Sequence, residues 1–113
     1  MDIGVDIVQI SRIQNKDTLA KGILCDEELE IYNSKGIHQL DFLAGRFAAK
    51  EALMKAIEKG INQTKFKSIK VLYRESGAPY IEYNGDVYEV SISHDGDYAI
   101  AVVMKKWENY QSI

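Results

Sequence analysis

Phe42-Leu43-Ala44-Gly45-Arg46-Phe47-Ala48-Ala49-Lys50-Glu51-Ala52-Leu53-Met54-Lys55-Ala56-Ile57 is an alanine-rich run in which a carboxylate and an ammonium stand one helical turn apart. Wound at about 100° per residue, it places Leu43, Phe47, Met54 and Ile57 on one apolar face and gathers Ala44, Ala48, Glu51 and Lys55 on its flank. The two charges therefore sit among methyl groups, and small neighbours leave a gap above them that a ligand could occupy. An ordinary helix-stabilising pair, contributing roughly 0.2–0.5 kcal/mol, is the plainer reading of the same spacing. Asp41 is the expected cap of this helix, and Gly60 after Lys59 its expected end.

The segment before the helix is organised around Ile3-Gly4-Val5-Asp6-Ile7-Val8-Gln9-Ile10, whose β-branched content predicts a strand buried on both faces. Asp6 sits in its middle. A carboxylate there needs a metal, an Arg or Lys, or backbone donors. Gly4, two residues earlier on the same face, lets something approach closely. Ser11 is read as the cap of a short helix exposing Arg12, Lys16 and Lys21. Asp26 is read as the N-cap of a second short helix, Asp26-Glu27-Glu28-Leu29-Glu30-Ile31-Tyr32, ended by Asn33-Ser34-Lys35-Gly36. His38, just before the central helix, is expected to be exposed.

After the helix the hydrophobic period falls to two. Strands are expected at Ile69–Tyr73, Tyr80–Tyr83, Val87–Ser93 and Tyr98–Met104, with turns at 75–79, at Asn84-Gly85 and at Asp95-Gly96-Asp97. With Ile3–Ile10 as a further strand, the expected architecture is α+β: an antiparallel sheet packed on one long central helix, plus short helices. The 113 residues suit one domain spanning 1–113. The tail from Trp107 to Ile113 is expected to be loosely held. His94 ends a strand after Ser91-Ile92-Ser93, a place that suits a hydrogen-bonded structural histidine or a functional one.

Composition removes several classes. Hydrophobic residues at 46% and charged residues at 27% are values of an ordinary folded chain. No apolar run approaches the roughly 20 residues of a membrane span, and the N-terminus lacks the pattern of a signal peptide, so the expected location is the cytoplasm with no membrane partner. The single cysteine, Cys25, is read as structurally incidental. A formal charge of −3 argues against a nucleic-acid partner.

Three stretches in order carry a family resemblance. Ile3-Gly4-Val5-Asp6-Ile7-Val8 resembles the N-terminal Gly-x-Asp strand of the small bacterial 4′-phosphopantetheinyl transferases, the holo-acyl-carrier-protein synthase family. Phe42 to Ala52, with Lys55 beyond it, resembles that family's signature helix, and Val90-Ser91-Ile92-Ser93-His94 its late strand motif. Asp26–Tyr32 and Gly77-Ala78-Pro79-Tyr80 are also similar to family positions.

The resemblance implies transfer of the phosphopantetheine arm of coenzyme A to a serine of an apo acyl carrier protein, in fatty acid biosynthesis, with release of adenosine 3′,5′-bisphosphate. It implies Mg²⁺ held by Asp6 and Glu51, with Lys55 on a phosphate oxygen and the leaving group. Proton removal from the serine falls to Glu51, directly or through a water on the metal. Arg46 and His94 are implied coenzyme A contacts, Arg46 toward the 3′-phosphate. Carrier proteins of this kind are acidic, and Arg12, Lys16 and Lys21 are the candidate docking residues. The segment Ser34–Asp41 departs from the family by its fewer arginines, which implies a weaker or differently tuned docking surface. Members of this size assemble as homotrimers with active sites between subunits, so a homotrimer is expected. A non-catalytic coenzyme A or carrier-binding module, and a phosphohydrolase using the same metal pair, are the alternatives the residues leave open.

Overall fold

Strand β1, Ile3–Gln9, opens the chain, and its side chains alternate between two very different surroundings. The structure, a computed structural model, describes residues 2–57 and 63–105. Gly4 is buried and Asp6 and Val8 are half-buried, whereas Ile3, Val5 and Ile7 are 49%, 53% and 57% exposed. The expectation of burial on both faces is therefore corrected. The strand lies at a sheet edge that carries helix on one side only, so β-branched composition overstated its burial.

Beyond β1 comes a 3₁₀ turn, Ile10–Arg12, and then helix α1, Lys16–Ile23, entered through Asn15 in the left-handed region at φ 51°. Ser11 caps neither. Its amide and hydroxyl donate to the Asp97 carboxylate, which that bonding holds below the usual carboxylate range, and the amide of Ile10 donates to the Asp97 carbonyl at 2.7 Å. A partner 86 residues away outcompetes local capping. The expected single basic helix thus divides, with Arg12 on the turn and Lys16 and Lys21 on α1.

Helix α2 is Asp26–Asn33, and its N-cap is Cys25 rather than Asp26. The Cys25 sulfur accepts from the Glu28 amide while the Glu28 carboxylate accepts from the Cys25 amide at 3.0 Å, a capping box with a thiol in the usual hydroxyl position. Cys25 is accordingly not incidental. Burial pushes its thiol up to about 11, which makes it an inert cap rather than a nucleophile.

Helix α3, Gln39–Ala56, follows the 3₁₀ turn Gly36–His38 without a break. His38 is its N-cap, with no side-chain capping bond, and is exposed as expected. Asp41 lies in the first turn, where its charge suits the helix dipole, but it is not the cap. The 3₁₀ turn already supplies acceptors, Lys35 to His38 and Gly36 to Gln39, so a capping side chain is not needed. Helix α3 ends at Ala56 with Ile57 as its C-cap; Lys59, Gly60 and the tail from Trp107 lie outside the described residues. Twelve of its 18 residues are buried, all round the helix rather than along one stripe. Leu43 and Met54 are fully covered while Phe47 and Ile57 are half-buried. The sheet covers one side of α3 and the two short helices the other.

A 3₁₀ turn, Gln63–Ser68, precedes strands β2 (Lys70–Tyr73), β3 (Pro79–Tyr83), β4 (Asp86–Asp95) and β5 (Tyr98–Lys105). They form one antiparallel sheet in the order β1-β5-β4-β3-β2, so the expected meander with the first strand added at its end is what folds. Asn84 and Gly85, at φ 52° and 82°, make the two-residue hairpin turn that only such residues accept readily. Leu43, Leu53, Met54, Phe66, Ile69, Val71, Ile81 and Val103 fill the space between sheet and helix. The opposite sheet face is uncovered along β1 and β5. There Ile3, Val5 and Ile7 pair with Met104, Val102 and Ile100 in register, all of them exposed. Among the described residues no helix is long and apolar enough to cross a membrane.

Candidate active site

The site begins with a missing side chain. A Cβ at Gly4 would lie 1.9 Å from the carbonyl oxygen of Ala52 and 2.8 Å from the amide nitrogen of Ala56, so β1 rests directly on the backbone of α3. The close approach expected at Gly4 is thus to the central helix itself. Asp6, two residues further on the same strand face, is thereby set against the last turn of α3. Its carboxylate accepts from the Lys55 ammonium at 2.7 Å, and the same ammonium donates to the Val5 carbonyl at 3.2 Å. Of the partners open to Asp6, the structure supplies the lysine. Lys55 is about half exposed and the Asp6 side chain only 12%, so the pair has one wet and one sheltered end.

Glu51 lies one turn before Lys55. Its carboxyl is pushed up to about 7, chiefly by burial, then by the negative charge of Asp6 and a hydrogen bond with it, while the positive charge of Lys55 opposes the rise. Lys55 bonds to Asp6 rather than closing the simple i, i+4 pair on the helix surface. The three residues singled out from two distant stretches of sequence are therefore brought together. A cleft of about 380 Å³ opens beside Glu51, with Ile7, Gln9, Arg12, Ile13 and Phe47 among its walls. Space for a ligand thus lies between β1, the first 3₁₀ turn and Phe47. Ala44, Ala48 and Ala52 instead disappear beneath neighbouring elements.

A half-buried carboxyl beside a second carboxylate, its pKa raised first by burial and then by that neighbour's charge, is a fitting site for a small hard cation. Mg²⁺ takes oxygen donors, needs only one or two protein carboxylates, and completes its shell with water and substrate phosphate. Among the described residues no group of three or more His, Cys, Asp or Glu gathers, so a metal here would share Asp6 and Glu51 with other oxygen ligands.

The raised Glu51 carboxyl also sets a pH dependence. A carboxyl whose folded pKa lies above its ordinary 4.5 favours the fold when protonated, so that contribution is complete below pH 4.5 and is lost as pH rises through about 7. In metal-free buffer the thermal midpoint is expected to fall across this interval. Glu51→Gln should remove that fall, as thermal scans at a series of pH values would register.

The implied coenzyme A contacts occupy the other end of α3. His94 is exposed, with a ring nitrogen 2.8 Å from the Asp41 carbonyl. Its ring lies close over Gly45, where an added Cβ would meet Cε1 and Nε2 at 3.2 Å. Arg46 is only 5% exposed. Its guanidinium lies 4.3 Å from the Phe42 ring centroid and 5.1 Å from that of Tyr73, and donates to the Tyr73 hydroxyl, while its Nε has no partner among the described residues. Nine helical residues separate Arg46 from Lys55, an axial rise of about 13.5 Å. Glu51 is nearer to Arg46, five residues on and about 7.5 Å along the axis. Arg12 and Lys21 are exposed, whereas Lys16 is half-buried, bonded to Gln39 at 2.7 Å and lying over the Tyr32 ring.

One pair escaped the reading of the sequence. Lys50 and Glu28, both fully buried, bond at 2.6 Å. The lysine immediately before Glu51 lies inside the alanine run, and Glu28 in an acidic first turn looks like a dipole partner. The one available signal was the position of Lys50, flanked by alanine on a helix whose neighbouring turns are apolar.

Comparison with known proteins gives the family. The family model of the 4′-phosphopantetheinyl transferase superfamily matches residues 2–103. A holo-(acyl-carrier-protein) synthase of Staphylococcus haemolyticus is 41% identical over 110 residues, covering 90% of this chain and 92% of the relative. The crystal structure of a holo-(acyl-carrier-protein) synthase from Bacillus anthracis in complex with CoA (3′,5′-ADP) superposes with a TM-score of 0.81 at 35% identity, covering 94% of this chain and 96% of the other. That of the Helicobacter pylori enzyme in complex with coenzyme A gives 0.78 at 33% identity, covering 92% and 99%. Family model, relatives and structural neighbours converge, and the chain belongs to the 4′-phosphopantetheinyl transferase superfamily, among its small holo-(acyl-carrier-protein) synthase enzymes.

Proposed function

We propose that this protein moves the 4′-phosphopantetheine group of coenzyme A onto a serine of an apo acyl carrier protein, with Mg²⁺ held by Asp6 and Glu51 and adenosine 3′,5′-bisphosphate released. The observation that carries the reading is the meeting of Asp6 from β1 with Glu51 and Lys55 from α3 beside an open cleft. The names of its relatives and the coenzyme A bound by two structural neighbours support the substrate.

In this scheme the serine oxygen forms a bond to the β-phosphorus as the bond from that phosphorus to the bridging oxygen breaks, and the bisphosphate leaves with the electron pair. Glu51 takes the serine proton, directly or through a water. Lys55, with its ammonium half exposed, holds a phosphate oxygen and balances charge on the departing group. The cation, when bound, offsets the negative charge of the pyrophosphate oxygens. Arg12, on the wall of the cleft, together with Lys16 and Lys21 of α1, receives the acidic carrier.

Arg46 and His94 take the 3′-phosphate end of coenzyme A, but not beside the carboxylates of their own chain. Along α3, Arg46 lies about 7.5 Å before Glu51 and about 13.5 Å before Lys55, and its guanidinium is enclosed between the Phe42 and Tyr73 rings. The proposed site combines the two ends of α3 from neighbouring copies, in a homotrimer. Support for the assembly comes from the apolar outer face of β1 and β5, of a kind that monomers seldom leave uncovered. Val5→Asp combined with Val102→Asp, at two residues paired in register and both exposed, is expected to yield a folded monomer without transfer activity. Light scattering of parent and variant would check it.

The function is tested by incubating the protein with coenzyme A, Mg²⁺ and an apo carrier and weighing the carrier by mass spectrometry. Gain of one phosphopantetheine is expected. Binding of coenzyme A with no gain on any apo carrier would leave a binding module. Release of free phosphopantetheine would instead make it a hydrolase.

A further inference from the structure

We infer that the buried Lys50–Glu28 pair is a positioning device that sets the rotation and level of α3, and so aims Glu51 and Lys55 at Asp6. The inference rests on the transferase reading above. Three acceptors surround the Lys50 ammonium, each from a different segment: the Ile23 carbonyl closing α1 at 2.6 Å, the Glu28 carboxylate of α2 at 2.6 Å, and the Phe66 carbonyl of the 3₁₀ turn Gln63–Ser68 at 2.9 Å. All three of its hydrogens are thus committed. The Glu28 oxygen that receives it also accepts from the Cys25 amide, so the acceptor is held by a second donor besides the lysine.

The device is needed because the rest of the helix environment is poor at fixing position. Toward β1, α3 presents Ala52 and Ala56 to a glycine, and contact between flat backbones offers no ridge to resist rotation. Leu53 and Met54 pack on the core side, where apolar burial is non-directional. The Lys55–Asp6 bond is partly open to water and correspondingly weak as an anchor. Hydrogen bonds from one ammonium to three fixed acceptors are directional. They act on the residue adjoining Glu51, where a displacement of about 1 Å would cost a large part of the rate. Stability alone does not call for an ion pair here, since apolar residues of similar volume generally serve a buried site as well.

That last point supplies the test. Glu28→Leu with Lys50→Met removes both charges together and keeps the volume. Thermal midpoint, amide exchange of residues 50–56 and steady-state transfer are measured at a temperature where the variant is folded. The expected result is a lowered midpoint, because the Ile23 and Phe66 carbonyls and the Cys25 amide lose their partners, with faster exchange in that part of α3 and kcat lowered at least tenfold with KM for coenzyme A within about threefold, since Arg46 and His94 are untouched. Binding of Mg²⁺ in the presence of coenzyme A, followed by calorimetry, should weaken about tenfold. Unchanged kcat and unchanged Mg²⁺ binding in a folded variant would overturn the inference. Should the double variant not fold, Lys50→Arg keeps the charges but redirects the donors. A fivefold or greater loss of kcat in it supports positioning, and an unchanged kcat refutes it. If the parent itself transfers nothing, the transferase reading fails, and that is read in the same assay before any variant.

Discussion

Glu51→Gln is expected to lower phosphopantetheine transfer at least about 100-fold while leaving the protein folded. The amide keeps the shape of the carboxyl and can neither bind a cation as an anion nor accept the serine proton. It thus removes the proposed base and one of the two metal-holding oxygens in a single step. Glutamine also imitates the protonated form that the fold prefers, because the carboxyl is pushed up to about 7 by burial and by Asp6. Above that pH the variant should therefore be at least as stable as the parent while being nearly inactive. The fall should lie in kcat rather than in KM for coenzyme A, since Arg46, His94 and Lys55 remain. A variant keeping more than a tenth of parental kcat in the mass-spectrometric assay would remove Glu51 from the reaction.

Gly4→Ala should be the most damaging single methyl in the described chain. The new carbon would sit 1.9 Å from the Ala52 carbonyl oxygen and 2.8 Å from the Ala56 nitrogen, and both are backbone atoms of a helix buried nearly all round. No rotamer change can relieve the contact, so β1 must lift from α3. Overpacking of this kind costs about 3 kcal/mol or more. A loss of that size corresponds to a drop of roughly 10–20 °C in thermal midpoint for a domain near this length. Function should suffer further than stability, because Asp6 rides on the same strand face and lifting it opens the 2.7 Å bond to Lys55. A midpoint within about 3 °C of the parent would show that the strand does not rest on the helix as described.

The outcomes divide along a physical line. Period-two runs, the Asn84-Gly85 turn and the alanine-rich helix are local patterns, and each formed close to where the sequence puts it. The interior carboxylate at Asp6 was legible as a demand for a partner, because an apolar strand penalises an unpaired charge wherever it lies. The choice of that partner was not legible, since Lys55 lies 49 residues away. Capping failed for a related reason. Ser11, Asp26 and Asp41 have the right side chains to begin helices, yet Asp97 takes Ser11, Cys25 displaces Asp26, and a 3₁₀ turn makes Asp41 unnecessary.

The sequence alone determined the α+β class and the two stretches whose charged residues, Asp6 in one and Glu51 and Lys55 in the other, meet in the structure, because these depend on periodicity and on residue type. Only the tertiary structure decided which face of β1 is buried, that Lys50 is an interior charge held by Glu28, and that Arg46 lies walled between two rings. Each of these depends on what another segment brings within about 4 Å, and a burial or a pairing is a property of two segments at once, which no single stretch of letters contains.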